Sequence, residues 1–219
     1  MPTAAEPITR PVAPPPGHPS VLLIGDSYTG GPNGLPELSY GCQAASAMGW
    51  LCHLSAVPGT GYISGGPANR FIVDEYIGSS TSFSERVPRL SAQYQPDIVI
   101  LDGGRNDEFP PRDDVYKAMA ATIGQVRHAW PTARIVFIRP RFLDDPRDDL
   151  GFDDAFMGRL SKDPGAAGLT ILDPVGGFVD DNTSQWLLAD GVHPNLLGDK
   201  KIAIALVDAL ESHGFAATM

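Results

Sequence analysis

The chain has 219 residues, 42% of them hydrophobic and 19% charged, which suits one domain with a sizeable core and is unlike a disordered chain. Its net charge of −10, with no cluster of Lys or Arg, argues against nucleic acid and anionic membrane surfaces as partners. No apolar run approaches the roughly 20 residues of a membrane span, and no basic head followed by an apolar core marks a secretory leader.

Residues 1–19 contain seven prolines, among them Pro14-Pro15-Pro16. Such a segment builds neither helix nor sheet ladder. It reads as a linker or tether leading into a domain over 20–219, or as a tail with no role. The run from Val21 to Ile24 is short, apolar and unbroken, as in a strand buried on both faces. It ends at Gly25-Asp26-Ser27, which places the Ser27 hydroxyl at the strand's carboxyl edge, where open α/β sheets bind ligands. A plain turn or helix cap is the alternative for Asp26 and Ser27.

A Gly/Pro-rich loop over Thr29–Pro36 precedes a helix expected over Glu37–Met48. A second strand is expected over Trp50–Val57, ending at Pro58-Gly59-Thr60-Gly61-Tyr62. Residues 63–82 read as a long surface loop. A helix over Ser84–Tyr94, with Ser84 as a cap, leads to a third buried strand over Asp97–Leu101. Arg112–Trp130 has Val115, Met119, Ile123 and Val126 on a helical period. Arg134–Ile138 is the fourth strand. The acidic stretch Asp144–Asp154 reads as a solvated loop. A short helix over Phe152–Leu160 and a fifth strand over Leu169–Leu172 follow. The closing helix, Leu197–Ser212, turns Ile202, Ala205, Leu206 and Leu210 inward. Strands alternating with helices at this spacing imply a parallel sheet covered on both faces. There is no internal repeat and no second domain. Cys42 and Cys52 make no CxxC motif, so no zinc or dithiol site is expected. A disulfide between them requires the fold to bring them together.

Acyl transfer needs a nucleophile, a base, a group orienting the base and donors for an oxyanion. Four loops carry candidates. Gly25-Asp26-Ser27, a glycine after the second strand, Gly104-Arg105-Asn106-Asp107 and Asp190-Gly191-Val192-His193 together resemble the motifs of the SGNH hydrolases, the GDSL esterase/lipase superfamily. The resemblance spans about Val21 to Ser212. It implies a three-layer α/β/α flavodoxin-like fold with a five-stranded parallel sheet. It also implies a serine esterase whose triad is Ser27, His193 and Asp190. The oxyanion donors it implies are the N–H groups of Ser27 and Gly59 and the Asn106 amide, with Gly61 as a rival to Gly59. Asp26 and Asp107 would hold the loops.

Arg105 either meets a polar or anionic substrate group or pairs with a surface carboxylate. Tyr28, Tyr62 and Trp186 either line the pocket, where they would suit a sugar face or a compact acyl chain, or belong to the core. No metal or cofactor is expected. The expected substrate is a small-molecule or glycan acyl ester.

Other chemistries fit less well. The G-x-S-x-G elbow is absent around Ser27, as are GxxxxGK[ST] and GxGxxG. The rivals are a non-catalytic carbohydrate-binding module on the same fold, and an acyltransferase-associated domain of a bacterial envelope protein. For the second, the proline-rich start would serve as the tether to a membrane acyltransferase.

Overall fold

The computed structural model describes residues 17–65 and 81–218. Its five strands are β1 (Ser20–Gly25), β2 (Leu51–Ala56), β3 (Ile98–Asp102), β4 (Arg134–Ile138) and β5 (Thr170–Leu172). They form one parallel sheet in the order β2-β1-β3-β4-β5. The order reverses at β1, so the carboxyl ends of β1 and β3 flank the crevice where such sheets bind ligands. Gly25 pairs in register with Asp102 there.

The helices are α1 (Tyr40–Ala47), α2 (Phe83–Gln93), α3 (Arg112–Ala129), α4 (Asp154–Ser161) and α5 (Leu196–Ser212). Alternate residues of β1 serve opposite layers, as the two-residue period of a strand requires. Val21 and Leu23 pack in the cluster containing α1 and α5, and Leu22 and Ile24 in the one containing α2 and α3. This is the expected three-layer α/β/α architecture.

Several local expectations shift. Ser82, not Ser84, caps α2, in a reciprocal capping box with Glu85. Ala203 is buried in α5, whereas Ala205 is only partly covered. The acidic stretch 144–154 is no solvated loop, because it inserts Leu150 and Phe152 into the core. Arg139 fastens it by donating to Phe152 O and Asp154 Oδ1, each at 2.8 Å. The loop expected over 63–82 falls largely on 66–80, and most of the proline-rich start on 1–16, outside the described residues.

The fold also brings the two cysteines together. Cys42 in α1 and Cys52 in β2 form a disulfide with a Cα–Cα distance of 5.4 Å across a sequence separation of 10. A bridge closing so short a loop stabilises by about 2–3 kcal/mol, chiefly by restricting the unfolded chain. The Cys42→Ala/Cys52→Ala double variant should lose that amount in chemical denaturation while keeping its far-ultraviolet spectrum. An unchanged denaturation midpoint would mean that the bridge contributes nothing.

Candidate active site

Ser27 sits on a tight turn built by its neighbours. A Cβ on Gly25 would lie 2.0 Å from Thr29 Oγ1, so no other residue fits where β1 ends. Beyond it, the N–H of Asp26 donates to Thr29 Oγ1 at 3.2 Å, and Asp26 Oδ1 accepts the N–H of Tyr28 at 2.8 Å. Ser27 is left partly exposed above the sheet edge.

His193 comes from the loop before α5 and meets Ser27 across a sequence separation of 166. Its Nε2 lies 2.9 Å from Ser27 Oγ, and its Nδ1 lies 2.7 Å from Asp190 Oδ2. Asp190 Oδ1 also accepts the N–H groups of Val192 and His193, at 2.9 and 3.0 Å. The bond from Val192, then the one from the imidazole, lower the carboxyl pKa to about 2. An ionised carboxylate can only accept, so Nδ1 carries the ring proton and Nε2 is free to accept from Ser27. Asn195 holds this loop. Its side-chain oxygen caps α5, and its amide donates to Gln185 O and Leu187 O, each at 2.9 Å.

Asn106 follows β3. One N–H of its amide donates to Thr60 O at 2.9 Å, and the other has no partner among the described residues. The two glycines beside it differ. Gly61 donates its N–H to Ser64 O, and a Cβ there would strike the Asp107 carboxylate at 2.3 Å. Gly59 has φ of +71°, and its N–H, like that of Ser27, has no hydrogen-bond partner among the described residues. Asp107 organises this loop by accepting the N–H groups of Tyr62, Ile63 and Ser64 at 2.7–3.2 Å.

Four of the residues first considered for a pocket are buried. Arg105 points inward, with only 2% of its side chain exposed, and pairs with Asp102 at 3.0 Å and Asp26 at 3.7 Å. Its partners are therefore buried carboxyls, not a surface one, although it also borders the cavity beside Gly59 and Asn106. Tyr62 is packed against Phe83 and Phe137, and Trp186 against Phe178. Both are core residues. Tyr28 is also buried and accepts the N–H of Leu143 at 2.8 Å, but its ring does border a cavity.

Sequence reasoning missed three buried polar residues. Arg86 of α2 donates to Ser55 O, to Gly25 O at 2.9 Å and to Thr60 Oγ1 at 3.2 Å, tying β1, β2 and the Gly59 loop together. Asp102 accepts from Thr29, Tyr40 and Arg105. Asp199, in the first turn of α5, accepts the N–H of Tyr40 at 2.9 Å. Their only local signal is a charged residue on an otherwise inward-facing helical or strand position.

Two cavities are lined by residues of these loops. One, of about 380 Å³, is bordered by Ser27, His193, Leu54, Leu188, Asp26 and Asp199. The other, of about 870 Å³, is bordered by Gly59, Asn106, Ile63 and the exposed Phe109.

A profile of the GDSL-like lipase/acylhydrolase family matches residues 23–201. The chain belongs to this family. That membership makes it a serine ester hydrolase. Among its GDSL relatives, the GDSL lipase Rv0518 of Mycobacterium tuberculosis is 28% identical over 188 residues, covering 84% of this chain and 78% of its own. Est24, a carbohydrate acetylesterase from Sinorhizobium meliloti, shares the fold with a TM-score of 0.64 at 16% identity, covering 89% of this chain and 99% of its own. The aryl esterase of M. smegmatis does so with a TM-score of 0.65 at 15% identity, again covering 89% and 99%.

Burial raises the Asp199 carboxyl to about 7, against the partial relief of the bond from Tyr40 N–H. Unfolded, it titrates near 4. Between about pH 4 and 7 the folded protein therefore holds a proton that the unfolded chain has lost, and stability falls as pH rises through that window. Asp199→Asn removes the cost. The variant should melt with the wild type at pH 4 and roughly 5 °C above it at pH 8. A gap independent of pH would assign the effect to something other than this ionisation.

Proposed function

We propose that this protein cleaves short acyl esters of carbohydrates through an acyl-enzyme on Ser27. The observation that carries this reading is the continuous hydrogen-bonded chain from Asp190 through His193 to Ser27. Ser27 Oγ attacks the ester carbonyl carbon while its proton passes to His193 Nε2. The carbonyl electron pair moves onto oxygen and is met by the N–H groups of Ser27 and Gly59 and the free N–H of Asn106. Collapse of this intermediate breaks the bond to the alcohol, and the alcohol oxygen takes the proton from His193. Water then gives a proton to His193 and attacks the acyl carbon. The carboxylic acid leaves, and Ser27 recovers its proton. Asp190 stays ionised throughout, fixing the imidazole tautomer and balancing the imidazolium.

The oxyanion assignment is supported by the N–H groups of Ser27 and Gly59, which have no partner among the described residues, and by an Asn106 amide with one N–H not bonded to them. Donors fixed before reaction need no reorganisation as charge develops. The carbohydrate assignment is supported by the carbohydrate acetylesterase among the proteins of like fold. The Cys42–Cys52 disulfide supports an oxidising, extracytoplasmic setting. The spacer role of residues 1–19 rests on their prolines and on the sheet beginning at Ser20.

Ser27→Ala should abolish hydrolysis of p-nitrophenyl acetate with an unchanged melting temperature. Retained turnover in the purified variant would remove the nucleophile. Asn106→Ala should lower kcat by roughly 10²–10³-fold with little change in KM, the usual cost of one oxyanion donor. A change confined to KM would instead make Asn106 a ground-state binding group.

A further inference from the structure

Two carboxyl oxygens beside the nucleophile have no partner. Asp26 Oδ2 and Asp199 Oδ2 are both buried without a hydrogen bond, and both residues border the cavity of about 380 Å³ that Ser27 and His193 share. A buried polar atom left unpaired costs about 1–3 kcal/mol, so each invites a donor. The two differ in what surrounds them. Asp26 has Arg105 Nη1 at 3.7 Å from its Oδ1. Asp199 has no ion pair among the described residues, and its only hydrogen-bonded neighbour there is the Tyr40 N–H. The residue is 1% exposed, and no side-chain donor among the described residues bonds its carboxyl.

The chemistry of the triad decides which half of the ester this cavity takes. His193 must return its proton to the departing alcohol oxygen, so the alcohol lies on the histidine side. His193 borders this cavity, whereas Gly59 and Asn106, which face the oxyanion, border the other one. The remaining wall includes Pro32, Pro36, Leu54 and Leu188. An apolar wall with isolated polar groups suits a ring that is apolar on its faces and hydroxylated at its edge.

We propose that this cavity is the subsite for a polyhydroxylated alcohol, and that Asp199 is the residue that selects it, through a hydrogen bond between a ring hydroxyl and Oδ2. The proposal rests on the assignment of Ser27 and His193 above. A protonated Asp199 donates to the hydroxyl and an ionised one accepts from it, so the contact survives either state near the raised pKa.

The test compares two substrates with the same acyl group, a mono-acetylated methyl β-glucopyranoside and ethyl acetate, on the wild type, Asp199→Leu, Asp199→Asn and Ser27→Ala. The wild type should favour the sugar ester at least 10-fold in kcat/KM. Asp199→Leu, of similar shape, should lose at least 10-fold more on the sugar ester than on ethyl acetate, mainly through KM. Asp199→Asn keeps the acceptor for Tyr40 and offers an amide N–H to the hydroxyl, so it should retain the preference for the sugar ester to within about threefold. If the leucine variant does not fold, Asp199→Ala decides the matter in the same comparison. Equal losses on both esters, or none on either, in the variant without a polar side chain at 199 would overturn the proposal.

Binding of methyl β-glucopyranoside against cyclohexanol, followed by saturation-transfer NMR, supplies a readout without turnover. Glucoside binding that depends on Asp199 but without ester hydrolysis would sink the Ser27 assignment and keep the subsite. Hydrolysis that requires Ser27, without preference for glucoside over cyclohexanol, would keep Ser27 and sink the subsite.

Discussion

The carboxylate of Asp102 is the fixture on which the site is built. It stands at the carboxyl end of β3, fully buried, and takes hydrogen bonds from Arg105 Nη1 at 3.0 Å, from Thr29 Oγ1 at 2.7 Å and from Tyr40 OH. Those donors belong to the Asn106 loop, the turn after Ser27 and the first turn of α1. One anion therefore sets the relative position of three segments far apart in sequence. A buried charge is tolerable only when its partners are in place. Here Arg105 serves two carboxyls, and burial raises the second of them, Asp26, to about 6, with Arg105 opposing. The cluster is all-or-none in this sense: losing one member strands the others in a medium that solvates them poorly.

The groups proposed to face the substrate are free because others occupy the backbone around them. Asp107 takes three N–H groups of the loop after Gly59, Arg86 covers the carbonyls at the ends of β1 and β2, and Asn195 ties the segment around Gln185 and Leu187 to the start of α5. Each loop is fixed from below by side chain to backbone bonds. The N–H groups of Ser27 and Gly59, both partly exposed, have no protein partner among the described residues. Unspent donors of this kind suit the proposed role of meeting a developing negative charge.

The sheet was legible in the sequence because its strands are buried on both faces and so read as unbroken apolar runs. Val21–Ile24 and Ile98–Leu101 needed no partner to be recognised. The residues proposed as the triad stood out because each lies in a short motif at a strand or helix end. What escaped was whatever depends on partners far along the chain. Arg86, Arg105 and Asp199 look like ordinary surface charges until residues 31, 79 and 159 positions away are folded around them. The acidic stretch 144–154 misled for the same reason: its aspartates suggest water, while Arg139 and the core-bound Leu150 and Phe152 pull it inward. Tyr62 and Trp186 sit in loops near the site, and only packing distinguishes an aromatic that lines a pocket from one beneath it.

Ser27 lies near the amino end of the domain, while His193 and Asp190 arrive as one unit just before α5. A ribosome therefore finishes the proposed nucleophile, the sheet and the Asn106 loop before it releases the proposed base. On the proposed mechanism the serine would lack its proton acceptor until α5 docks on α1, with Asp199 receiving the Tyr40 N–H. The order of residues along the chain would then act as a timer, arming the serine only when the last layer of the fold has closed.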